Sequence, residues 1–173
     1  MMKRIRQFFH AVFAEVSTED KAFLEQNLGM EQQALFFNMS VPDQCHALRT
    51  AHTAIALAEN TAEKLDLPLL TRCALLHDVG RRDGEFGIFW KCFAVLFAVL
   101  FPSQSQAYGD NAHDDGVLHR KMHVYYHHAE IGADMLLREG FTAEAEIVGK
   151  HHKTPAEDDP PELRILRMAD EMN

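Results

Sequence analysis

Apolar residues in this chain recur at three- and four-residue intervals and almost never alternate, a pattern that predicts helices rather than a sheet. Ile5, Phe8, Phe9, Val12, Phe13 and Val16 form one such stripe. Ser17 and Thr18, followed by Glu19 and Asp20, provide a cap for a second helix that Gly29 is suited to close. A short third segment runs through Leu35, Phe36 and Phe37. Pro42 suits the first turn of a long helix through Ala47, Ala51, Ala54, Ala58 and Leu65, whose small-residue face permits close packing. Pro68 opens another, with Leu70, Cys73, Ala74 and His77 on one side and Gly80 as the stop signal, so that His77 and Asp78 fall in its last turn.

The second half continues in the same style. Residues 86 to 101 are the most apolar stretch, but Lys91 interrupts them and the unbroken run from Cys92 to Phe101 is well short of the roughly 20 residues a bilayer span needs. They read as a buried or subunit-contact helix, with contact to a membrane surface as the alternative. Residues 102 to 120 are polar, carry Pro102, Gly109 and Gly116, and read as a long loop in which His113, Asp114 and Asp115 are a solvated charge run. A helix to about Glu139 then bears two histidine stripes, His128 with Gly132 and His123 with His127, and spacing does not say which faces inward. Thr142 can cap a further helix in which Ile147 leads to His151 and Val148 to His152, before Pro155 breaks the pattern. Pro160 and Pro161 start a final helix with Leu163, Leu166 and Asp170 on one face. The expected fold class is all-α.

A length of 173 residues suits one domain with a real core. The net charge of -9 argues against a nucleic acid polymer as partner, since phosphate contacts need clustered Lys and Arg. A small phosphorylated ligand stays compatible, because a metal can supply the missing positive charge. Cys45, Cys73 and Cys92 show no CxxC spacing and read as buried thiols of a reducing compartment. The basic start of the chain leads into His10 and Glu15 without a continuous apolar run, which does not resemble a signal peptide. A cytoplasmic protein, with or without a peripheral membrane contact, is the expectation.

The candidate chemistry lies in imidazoles and carboxylates on apolar faces. Asp78 in a last helical turn faces the negative end of the helix dipole, unfavourable by about 0.3 to 1 kcal/mol at an exposed site. A divalent cation would compensate it and would explain why His77 continues an apolar stripe. Asp170 on an apolar stripe needs a partner for the same reason. Zn, Fe and Mn accept such mixed nitrogen and oxygen donors.

His46, the pair His77 and Asp78, and Asp170 occur in the order of the HD-domain metal-dependent phosphohydrolases, an all-helical superfamily that residues 41 to 173 resemble. The phrases HHAEIGADML and GKHH are similar to elements of its binuclear branch, which includes the HD-GYP phosphodiesterases. The resemblance implies an HD-domain helical bundle over 41 to 173, with residues 1 to 40 as an N-terminal helical extension packed on it. It further implies one metal at His46, His77, Asp78 and Asp170, and a second at His128, His151 and His152 with Asp78 bridging. Two divalent ions of the Fe, Mn or Zn class would then activate a hydroxide against a phosphate ester or anhydride of a small, nucleotide-like substrate. Arg81, Lys150 and Lys153 lie beside these ligands and are candidates for holding substrate phosphate, with Arg81, His77 and Asp78 as the catalytic set.

Two departures qualify the resemblance. Arg81 stands where the family has lysine, which keeps the charge but replaces a point with a planar fork. HHKTP follows where a GYP motif would stand, which argues against a cyclic-di-GMP phosphodiesterase; symmetrical diadenosine tetraphosphate hydrolases share the binuclear pattern. The competing class is a catalytically idle metal- or ligand-binding module that signals through its apolar helix.

Overall fold

Capping residues and prolines set where the helices of this chain begin. In the computed structural model, which describes residues 15–81, 88–110 and 116–173 apart from the side chains of 88–92, the elements are all α-helices. They are α1 (Thr18–Asn27), α2 (Met30–Phe37), α3 (Val41–Glu59), α4 (Leu67–Leu76), α5 (Ile88–Leu100), α6 (Pro102–Asp110), α7 (Val117–Arg138), α8 (Thr142–Val148) and α9 (Pro161–Met172). Ser17 caps α1 reciprocally, its hydroxyl accepting from Asp20 N at 3.1 Å while Ser17 N donates to Asp20 Oδ2 at 3.0 Å. Asp66 caps α4 by accepting from Leu69 N at 2.9 Å, and prolines occupy the first turns of α3, α4 and α9.

The main core lies among α1, α2, α3, α4, α7, α8 and α9. Leu24, Phe36, Leu70, Leu75, Leu76, Leu136, Leu163 and Leu166 are all fully buried there. Each buried leucine contributes about 1.5–3 kcal/mol of apolar burial. Ala47, Ala51 and Ala54 on α3 are wholly inaccessible, which lets α4 and α9 lie close against that helix. Glu144 of α8 is a buried tie: it accepts from Arg72 Nε at 2.6 Å and from Gln32 Nε2 at 3.4 Å, joining α8 to α4 and α2. A smaller cluster of Ala94, Met122 and Val124, with Phe97, Tyr108 and Tyr126 against it, joins α5 and α6 to the first half of α7.

Several expected boundaries move. The stripe from Ile5 falls on residues outside the described ones, except that Val16 packs on the core without being helical. Gly29 does not close α1; it is the N-cap of α2, and Leu28 ends α1 in extended backbone. α3 stops at Glu59, leaving Leu65 in the connection to α4, where it still packs on the core. The polar stretch 102 to 120 is not one long loop: 102–110 form α6 and α7 starts at Val117, while His113, Asp114 and Asp115 lie outside the described residues. Contacts to α7 that composition alone hides tie α6 down, among them Ser105 Oγ with Tyr126 Oη at 2.7 Å and Tyr108 against the smaller apolar cluster.

α5 turns Ala94 and Phe97 inward and leaves Phe93, Leu96, Val99 and Leu100 exposed, as is Phe101 just after it. Among the described residues no helix is long and apolar enough to cross a membrane. Cys45 and Cys73 are buried free thiols.

The turn after α4 meets α7 backbone to backbone. A Cβ on Gly80 would lie 2.1 Å from the carbonyl oxygen of His128 and 2.9 Å from Gly132 N, and one on Gly132 would lie 3.2 Å from Gly80 N. Neither partner is a flexible side chain that can yield. Gly80→Ala is therefore expected to lower unfolding free energy by about 3 kcal/mol or more, and Gly132→Ala by less, as read from denaturant titrations. Equal, negligible losses would show that the two segments can separate freely.

Candidate metal centre

Five elements deliver the candidate donors. His46 comes from α3, His77 and Asp78 from the turn that closes α4, His128 from the middle of α7, His151 and His152 from the turn after α8, and Asp170 from the last turn of α9. His77 is the C-cap residue of α4 and Asp78 lies one residue beyond, rather than both lying inside the helix. His151 and His152 likewise follow α8, which ends at Val148; Phe141 rather than Thr142 stands at its N-cap position, with no side-chain cap.

Backbone carbonyls orient three of the rings. His77 Nδ1 donates to Ala74 O at 2.9 Å, His128 Nδ1 to Tyr125 O at 3.2 Å and His151 Nδ1 to Val148 O at 2.6 Å. A carbonyl only accepts, so Nδ1 carries the proton in each and Nε2 is the atom turned toward its neighbours. The donor atoms form two groups, each within 4.8 Å: His46, His77 and Asp170 in one, His128, His151 and His152 in the other. Each group can hold a metal ion.

Asp78 lies between them. Its Oδ2 is 3.6 Å from His77 Nε2 and 4.0 Å from His46 Nε2, while its Oδ1 is 3.3 Å from His128 Nε2. His46 Nε2 donates to Asp170 Oδ1 at 2.9 Å, and the same oxygen is 3.6 Å from His77 Nε2. His77 Nε2, Asp78 Oδ1 and His151 Nε2 are buried without a hydrogen-bond partner.

The two groups differ in charge. Burial opposes a proton on His77, but Asp78 and Asp170, with the Ala74 carbonyl, push its pKa up to about 9. Asp78 and Asp170 are held well below the usual carboxylate range despite burial, Asp78 by Arg81, His77 and His128 and Asp170 by His46 and His77. In the second group burial and Arg81 lower His128, burial with His77 and His152 lowers His151, and burial with His128 brings His152 down to about 4. Counted with Asp78, the first group therefore sets two carboxylates against the one proton on His77, while the second is made of neutral imidazoles.

The remaining predicted site residues divide. Arg81 reaches the donors, its Nη1 2.7 Å from Asp78 Oδ2 and its Nη2 2.9 Å from His128 Nε2. Lys150 and Lys153 are exposed on the turn after α8, and the Lys153 ammonium lies 3.9 Å from Glu130. Of the two histidine stripes on α7, that of His128 faces the donors; His123 Nδ1 donates to Gly109 O at 2.9 Å and His127 lies 3.4 Å from Asp110, both toward α6.

Sequence reasoning missed Arg167. Its Nη2 donates to Lys150 O at 2.8 Å, its Nε donates to His151 O at 3.2 Å, and its Nη1 pairs with Asp159, so it clamps the turn that presents His151 and His152. The only signal was its position one helical turn before Asp170. Comparison with protein-family models, with curated proteins and with solved structures finds no match, so the centre is read from its own chemistry.

A pH profile tests this charge arrangement. In the presence of a chelator, the His77 contribution to stability is complete below its ordinary value of 6.5 and is lost as pH rises through about 9. The His152 contribution runs the other way, complete above 6.5 and lost as pH falls through about 4. Melting temperature measured between these limits should fall on both sides of a maximum near pH 6.5, and a flat profile would contradict it.

Proposed function

We propose that the protein is a metal-dependent phosphohydrolase of the HD type, acting on a phosphate ester or anhydride of a small, nucleotide-like molecule. One observation carries the reading. His77 Nε2, Asp78 Oδ1 and His151 Nε2 are buried, close together and unpartnered. Leaving a buried polar group unsatisfied costs about 1–3 kcal/mol. Divalent cations are partners that satisfy imidazole lone pairs and carboxylate oxygens together.

In this reading His46, His77, Asp78 and Asp170 would hold one ion, His128, His151 and His152 would hold another, and Asp78 would offer an oxygen to each. Bound ions would supply an acidified water and neutralise charge on the phosphate oxygens. The chain's own groups do the rest. Carbonyls 74, 125 and 148 fix the ring orientations, Asp78 separates two positive charges, and the Arg81 fork matches a pair of phosphate oxygens. Lys150 and Lys153, exposed on the turn that carries His151 and His152, would add positive charge for the rest of the anionic substrate. With a net charge of -9, attraction for such a substrate must come from the ions and these few cations, not from the overall field.

Hydrolysis of a generic phosphodiester with added Mn tests the proposal. Turnover should require the ion, and Asp78→Ala should reduce it by at least about 10³-fold with loss of bound metal. Stoichiometric metal binding with no turnover on any phosphate ester or anhydride would leave a metal-binding module instead. Full activity in Asp78→Ala would end the bridged arrangement.

A further inference from the structure

We propose that Arg81 is a built-in counter-cation of the second histidine group, which it holds closed until an anionic substrate draws it away and the second ion takes its place. The proposal rests on the metal-dependent reading above and adds an order of assembly to it.

The geometry is that of a stand-in ion. One guanidinium nitrogen lies 2.7 Å from Asp78 Oδ2 and another 2.9 Å from His128 Nε2. A guanidinium is permanently charged and only donates, so it meets a carboxylate and an imidazole lone pair at once, as a cation does. The two acceptors differ in capacity. A carboxylate oxygen has lone pairs for both Arg81 and an ion, whereas the neutral imidazole nitrogen has a single one. That lone pair is already contested, because His152 Nε2 lies 3.0 Å from the same nitrogen. Metal coordination by His128 therefore requires Arg81 to leave.

Arg81 is built to leave. Its side chain is 24% exposed while Asp78 is 1% exposed, so the cation borders solvent and the anion does not. The planar fork that spans Asp78 and His128 fits two oxygens of a phosphate equally well. Donors of the first group other than Asp78 make no part of these contacts, so the first ion loads without the exchange. Binding of the phosphate and of the second ion must then reinforce each other, and the coupling is reciprocal.

The test is Zn binding to the chelator-treated full chain by calorimetry, comparing wild type with Arg81→Gln and Arg81→Lys. Removing the competitor should tighten the second, weaker Zn by about tenfold or more and change the first by less than about threefold. Arg81→Lys should fall between, since an ammonium keeps the charge but cannot span both acceptors. Unchanged or weaker second-site affinity in Arg81→Gln overturns the proposal. So does a single bound Zn in every protein, which still permits a metal-dependent hydrolase. No Zn, Mn or Fe bound by any of them removes the underlying reading itself. Should the variants fail to fold, nitrogen NMR of the wild type decides. The Arg81 Nη signals should shift with the second Zn equivalent and not with the first; a shift with the first, or none, overturns the exchange.

Discussion

The approach of the turn after α4 to the backbone of α7 determines how the donors meet, because Gly80 and Gly132 let two main chains come closer than any side chain would allow. Asp78 is two residues before one glycine and His128 is four residues before the other, so closing that contact sets 3.3 Å between Asp78 Oδ1 and His128 Nε2. The same approach buries Asp78, whose charge then has to be met by Arg81 and the surrounding imidazoles. Packing thus dictates electrostatics here.

The charge asymmetry of the two groups follows from which elements supply them. Among the candidate donors the carboxylates come from the turn after α4 and from α9, Asp170 on the His46 and His77 side and Asp78 between the two groups, and together they keep a proton on His77. The turn after α8 brings two adjacent histidines, and burial lowers the pKa of both and of His128, with the neighbouring imidazoles adding to the shift for His151 and His152 and Arg81 for His128 and His152. Neutral imidazoles can accept a cation without first losing a proton, whereas the first group would have to exchange a proton for one.

Much of the fold was legible because helix periodicity and proline placement are local. Pro42, Pro68 and Pro161 sit in the first turns of α3, α4 and α9, as their fixed φ requires. α6 was not legible, since what ties it down are tertiary contacts to α7, such as Ser105 meeting Tyr126 and His123 meeting Gly109. At the centre, residue types and order pointed to His46, His77, Asp78, His128, His151, His152 and Asp170 as a set. The inward stripe of α7 was undecidable from spacing, because choosing His128 over His127 depends on where Gly80 docks. Arg167 was invisible for a similar reason: its partners are carbonyl oxygens, which every residue carries.

His46 and Asp170 touch across 124 positions of sequence, and Asn173 secures the last turn of α9 by donating to Thr53 Oγ1 at 2.9 Å and to Ala169 O at 2.8 Å. A contact of that span pays its loop-closure entropy only when the intervening helices are already in place. The group of His46, His77 and Asp170 is therefore incomplete in a half-folded chain until α9 docks. Any ion that binds only the completed arrangement draws the whole folding equilibrium toward the native state by mass action. Metal supply would then regulate how long the chain survives proteolysis, quite apart from what the centre does to a substrate.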